Sequence, residues 1–231
     1  MHALFALTLL AALTLLAALA CRPDGGFEIE LVQSAVIPAV YTAHWSVELD
    51  APDAAWWEQG RDGVVERTVP VDPLGGSTFE TVLLGMKPGS SYDLRAVVQA
   101  EGQTLRSPEQ QVETGGIPAA LPNLTVTRVS GTETWRGLLV GSITSMPPSA
   151  VILDEDGDIV WWYTLEGVDN LARVRISVDG RTMLLLDLNL ADDVDGALYR
   201  VGLDGTGLEV LPCESFHHDF DLLPDGSSRV V

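Results

Sequence analysis

Two of the chain's four histidines stand side by side in CESFHHDFDLLPDG, residues 213–226. Adjacent imidazoles followed by an aspartate could carry nucleophilic or proton-transfer chemistry, since imidazole changes charge near neutral pH. Successive side chains of a strand point to opposite faces, so His217 and His218 cannot both look into one pocket. Phe216, His218, Phe220 and Leu222 share one face of such a strand, and His217, Asp219 and Asp221 share the other. The residues by themselves leave two readings open, a catalytic histidine and a decorated strand surface.

Other polar clusters are less specific. DEDGDIVWW begins like a calcium loop, but that loop needs a bidentate glutamate at a fixed position and flanking helices. Glu166 falls beyond that position and the flanks read as strands, so turn chemistry accounts for these aspartates. Asp187, Asp192, Asp193 and Asp195 in DLNLADDVDG read as a solvated acidic loop. Arg173, Arg175, Arg181 and Arg200 sit in or beside the same run of strands, with no spacing that aims them at an anion. A Gly-rich phosphate loop, Cys/His zinc spacing and a Gly-x-Ser-x-Gly elbow are missing from the sequence.

The elements that must position these residues show a rhythm. AVILDEDGDIVWWYTL, ARVRISVDGRTMLLLDL, GALYRVGLDGTGLEVLP and FHHDFDLLPDGSSRVV each read as strand, tight turn, strand. Asp-Gly lies at each centre, at 156–157, 179–180, 204–205 and 225–226, and suits a two-residue hairpin turn with positive φ at both residues. The period is roughly 21 to 25 residues, so two hairpins make one four-stranded propeller blade. Residues 123–231 are expected to form about two blades of an incomplete β-propeller, and closure takes at least about four. The remaining blades are expected either beyond this sequence or from a partner.

Residues 27–114 alternate apolar and polar in short runs such as FEIELV and AHWSVELD, as half-buried strands do. Within them LLGMKPGSSYDLRAVVQAEGQTLRSPEQQVET resembles the second half of a fibronectin type III module. That resemblance implies a β-sandwich with Trp45 between the sheets and Tyr92 as its corner tyrosine, the hydroxyl tying the preceding loop. His44 falls opposite Trp45 in the alternation and is expected to face solvent. Residues 115–122, rich in Gly and Pro, read as a linker. The whole chain is therefore expected to be all-β, a fibronectin type III-like sandwich followed by the first blades of a propeller.

Residues 1–20, MHALFALTLLAALTLLAALA, carry no charge and lead directly to Cys21. They read as a signal peptide, and Ala18-Leu19-Ala20-Cys21 resembles the bacterial lipobox, which implies lipidation of Cys21. Ordinary secretion and an uncleaved membrane anchor are the alternatives. All three place the rest of the chain outside the cytoplasm, in the periplasm or cell envelope. Cys213 then lacks a disulfide partner within the sequence. With 13 basic against 33 acidic side chains, a net charge of −20 repels nucleic acid and anionic headgroups.

From LLVGSITSMPPSAVILDEDGDIVWWYTLEG through FHHDFDLLPDGS, the chain is similar to the N-terminal part of the bacterial aryl-sulfate sulfotransferases. The carriers are Asp-x-x-Gly-x-Ile-Val-Trp, the Asp-Gly hairpins, and His-His-Asp followed by Leu-Pro-Asp-Gly. The resemblance implies transfer of a sulfo group from a phenolic sulfate donor to a phenolic acceptor through a histidine, without a cofactor. It assigns His218, with His217 as the other claimant, to the partner of the oxyanion or leaving group rather than to the nucleophile. The competing expectation is a non-catalytic surface lipoprotein that binds a partner or ligand through its β-domains.

Overall fold

The computed structural model describes residues 26–49, 52–122, 124, 137–144, 147–187, 196–211, 219–223 and 228–230, the last three as backbone. The described chain is all-β, and its small antiparallel sheets stand in a propeller-like arrangement.

The N-terminal strands are β1 (Glu28–Gln33), β2 (Tyr41–Ser46), β3 (Ala54–Arg61), β4 (Val64–Pro70), β5 (Pro73–Gly75), β6 (Thr78–Leu83), β7 (Ser91–Ala100), β8 (Gln103–Arg106) and β9 (Gln110–Glu113). One sheet runs β1-β2-β6-β5 and the other β4-β3-β7-β8, with β9 also paired to β7. Their inner faces share a core of Trp45, Phe79, Leu83, Trp57, Leu94 and Val98. Trp45 stacks on Phe79 at 4.1 Å between centroids and meets Trp57 edge-on at 5.9 Å, geometries that aromatic quadrupoles favour. His44, on the opposite face, is exposed and lies 3.2 Å from Glu80 across the ladder.

Turn chemistry shapes the second sheet. Asp62-Gly63 and Glu101-Gly102 both have positive φ at each residue (51° and 74°; 51° and 73°). These are the two-residue turns whose twist matches a hairpin, and they join β3 to β4 and β7 to β8. Pro108 has no N–H to donate, so the edge strand breaks there into β8 and β9. Ser107 fills the gap, its N–H donating to Ala96 O and its Oγ accepting from Ala96 N.

The second half holds β10 (Leu139–Ile143), β11 (Ser149–Leu153), β12 (Ile159–Thr164), β13 (Leu171–Ile176), β14 (Thr182–Asp187), β15 (Ala197–Gly202), β16 (Glu209–Leu211), β17 (Phe220–Leu222) and β18 (Ser228–Val230). They form sheets β10-β11-β12, β13-β14-β15-β16 and β17-β18, so two Asp-Gly hairpins do combine into one four-stranded sheet. The first strand of one sheet lies against that of the next, β10 against β13, and Arg175 of β13 reaches Asp221 of β17. Strand β14 is buried on both faces. Met183 and Leu185 join the core shared with the preceding sheet, while Leu184 and Leu186 pack on Phe220 of the following one. A run such as TMLLLD is continuous rather than alternating for that reason.

The Asp-Gly turns of these sheets differ from the expected form. Gly157, Gly180 and Gly205 have positive φ (88°, 69° and 82°), but Asp156, Asp179 and Asp204 do not. Nearby carboxylates hold the loops as a turn followed by a left-handed glycine. Asp154 Oδ1 accepts from the N–H groups of Asp156 and Asp158, Asp179 Oδ1 from Arg181 N, and Asp204 Oδ1 from Thr206 N. This local bonding makes the right-handed conformation favourable for aspartate and leaves only glycine to turn left. The turn at 225–226 lies outside the described residues.

The two halves are packed together. Ile37, Ala39 and Val40, from the loop between β1 and β2, are fully buried in the same core as Trp161, Leu171 and Leu203. Ser34 Oγ donates to Asp204 O at 2.6 Å, and Gly205 lies directly over Val36 and Ile37. The 115–122 segment is held at both ends, with Gly115 N donating to Pro38 O and Leu121 buried in that core.

Candidate functional site

His217, His218, Cys21 and Cys213 lie outside the described residues, as do Asp192, Asp193 and Asp195. The strand that follows the histidine pair is described, and it separates its two faces sharply. Phe220 is fully buried against Leu184, Leu186 and Leu198. Asp219 and Asp221 turn the other way, toward two arginines of β13.

Arg173 donates to both carboxylate oxygens of Asp219, from Nε at 2.9 Å and from Nη2 at 2.5 Å. Arg175 Nη2 lies 3.4 Å from Asp219 and 3.4 Å from Asp221. Its guanidinium also stands 5.8 Å from the centroid of the Phe220 ring, within cation–π range. The Arg173 fork holds the Asp219 carboxyl down to about 2, aided by Phe220 N–H and by Arg175. Arg173 is raised in turn, chiefly by its hydrogen bonds to Asp219. Arg175 Nε is buried without a partner. Arg-x-Arg on one strand and Asp-x-Asp on another put like charges on one face each, and tertiary packing brings the two faces together. Spacing within either segment did not reveal this. The repeated i, i+2 charge pattern was the available signal.

Two acidic features also changed. Asp187 belongs to β14 and is 8 % exposed, not part of a solvated loop. Burial raises its carboxyl, the charge of Asp169 adds to this, and its Oδ1 has no partner. Asp154, Asp156 and Asp158 place three carboxylates within reach of one cation, and the cation there is Lys87. Its Nζ lies 3.4, 3.0 and 2.6 Å from them respectively. Burial opposes the Lys87 charge, yet the hydrogen bonds to Asp158 and Asp156 and the charge of Asp154 raise its pKa well above the ordinary range.

Tyr92 is 3 % exposed, and its hydroxyl accepts from Lys87 N at 2.8 Å, tying the loop before β7. One residue therefore closes the sandwich core while its neighbour in that bond reaches the next sheet.

Among the described residues the one histidine, His44, lies beside Glu80, and no helix is long and apolar enough to cross a membrane. Comparison with protein-family models and with curated proteins finds no match.

Proposed function

We propose that the chain is part of an extracytoplasmic aryl sulfotransferase-like protein, lipid-anchored through Cys21. The carrying observation is the convergence of Arg173 and Arg175 on the strand that directly follows His217-His218. Sulfo transfer from a phenolic sulfate breaks the S–O bond to the phenol as an imidazole nitrogen bonds to sulfur, and the phenolate departs with the electron pair. A phenolic acceptor then attacks sulfur, the N–S bond breaks, and the acceptor's proton leaves to a base. Both steps build negative charge on oxygens, which guanidinium groups and a protonated histidine offset. In this reading Arg173 and Arg175 supply charge near the path, His218 or His217 serves the leaving oxygen, and the nucleophile is not among the described residues.

The finer fold reading belongs with this proposal. Two packed sheets, the inward Trp45 and the Tyr92 hydroxyl bond to the preceding loop support a fibronectin type III-like sandwich ahead of the propeller blades.

The bidentate Arg173–Asp219 pair favours a second reading, a non-catalytic surface lipoprotein, because a paired guanidinium has less charge to offer an anion. Equilibrium dialysis with phenyl sulfate separates the two. Saturable binding by the chain, weakened at least about tenfold in an Arg173→Gln, Arg175→Gln double variant and without phenol release, is expected of the sulfotransferase reading. Binding that is absent, or unchanged in the double variant, defeats it. Phenol release lost in His218→Ala would overturn the supporting role given to His218 and make it the nucleophile.

A further inference from the structure

A cleft of about 280 Å³ lies between the sandwich and the Asp154–Asp158 turn. Gln59, Arg61, Glu66, Arg67, Lys87 and Tyr92 line it from the sandwich side, and the acidic turn lines it from the other. Gln59 is 2 % exposed and its amide Nε2 has no hydrogen-bond partner. Buried polar groups in folded proteins are almost always paired, so an unpaired amide lining a cleft marks a place for an acceptor.

Three cationic side chains surround that amide, and two are already engaged. Arg61 is 2.8 Å from Glu66, with its guanidinium over the Tyr92 ring. Lys87 is held by Asp154, Asp156 and Asp158. Arg67 has no ion pair among the described residues. It is the direct cross-strand neighbour of Gln59 in the β3–β4 ladder, so both side chains stand on the same face. The Arg67 guanidinium lies back over Gly85, where an added Cβ would come within 2.9 Å of its Nε. A glycine there, with φ of 91°, leaves the space that the arginine occupies.

We propose that this cleft binds a small monovalent carboxylate, one oxygen accepting from the Arg67 guanidinium and the other from Gln59 Nε2. Both donors are planar N–H groups, matched to a planar two-oxygen anion. Arg67 is the cation of this lining without an ion pair among the described residues, which limits the ligand to a single negative charge, and Glu66 and the acidic turn across the cleft oppose a dianion. The volume lies at about the lower limit of small-molecule sites, which restricts the ligand to a few carbons. The site is separate from the Arg173–Asp219 cluster and does not depend on the sulfotransferase reading.

The test follows the side-chain amide resonances of Gln59 in the ¹⁵N-labelled chain during titration with sodium acetate, with ionic strength held constant by sodium chloride. A saturable shift is expected, with an apparent Kd at least about tenfold larger in Arg67→Met. Arg67 lies on the edge strand β4 and its loss leaves the core intact; a Gln59→Leu variant, followed through the Arg67 Nε resonance, gives an independent check. Sodium sulfate in place of acetate is expected to shift the same resonances only weakly. No saturable acetate response, or an undiminished response in Arg67→Met, overturns the site. Sulfate binding as tight as acetate overturns the assignment to a planar monoanion.

Discussion

Lys87, at the mouth of the sandwich, places its ammonium 2.6 Å from the carboxylate of Asp158 in the first hairpin of the propeller-like part. The contact spans 71 positions of sequence, and Asp154 and Asp156 complete a three-carboxylate nest around the same nitrogen. One cation thus offsets repulsion within the turn and ties the two halves of the chain together.

Lys87→Met removes that counter-charge from three neighbouring carboxylates. Stability is expected to fall by about 1–2 kcal/mol, a modest figure because Asp156 and Asp158 are half exposed to solvent screening. Thermal melts at about 0.1 M and 1 M salt should show the gap between variant and wild type narrowing as screening rises. A gap that ignores salt would mean that Lys87 acts through packing alone.

Docking of the β1–β2 loop is tested at Gly205. Its φ is +82°, and an added Cβ would come within 2.9 Å of Val36 and 3.1 Å of Ile37. Gly205→Ala is expected to cost about 1–3 kcal/mol through backbone strain and displacement of that loop. Val36 and Ile37 amides should exchange hydrogen faster in the variant, while those of β7 stay protected.

Asp187 gives a pH-dependent prediction. Its folded pKa is raised above the ordinary 3.8, so the ionised form is the destabilised one. The penalty is absent below the unfolded pKa and grows as pH rises through the folded value. Asp187→Asn should therefore stabilise the protein by about 1 kcal/mol at neutral pH, with no gain below about pH 4. Denaturant titrations at the two pH values decide it, and a gain at low pH would count against the burial account.

The Arg173–Asp219 pair has the opposite sign. Asp219 is depressed from 3.8 to about 2, so its contribution is complete above the unfolded pKa and is lost as pH falls from about 4 toward 2. Arg173→Gln should flatten stability across that window and leave its shape above pH 5 unchanged. Matching acid-denaturation curves for variant and wild type would remove this pair from the account.

Trp161 is fully buried, and its indole Nε1 donates to Leu203 O at 2.7 Å. Trp161→Phe leaves that carbonyl unpaired beside a small void, and a loss of about 2–4 kcal/mol is expected in denaturant unfolding. A loss below 1 kcal/mol would mean that the shared core tolerates the gap.

Local sequence determined the local structure. Alternation and Asp-Gly punctuation placed hairpins at 150–165, 172–188 and 196–212, because strand period and turn preference act over a few residues. His44 outward follows from the same alternation, whereas the inward Trp45 and the Tyr92 bond to its preceding loop were implied by the resemblance to a fibronectin type III module. The handedness at Asp156, Asp179 and Asp204 escaped them, since side-chain caps, from Asp154 at the first turn and from Asp179 and Asp204 themselves at the others, outweighed the two-residue turn preference.

Long-range placement was decided by tertiary structure. Arg173 and Asp219 are 46 positions apart, and only the tertiary approach of β13 to the segment entering β17 makes their charges meet. Turn chemistry accounts for Asp154, Asp156 and Asp158 in the sequence, and only the packing of the two halves sets Lys87 against them. Burial, ion pairing and pKa depend on what other segments bring within a few ångströms, and periodicity along one segment carries no record of that.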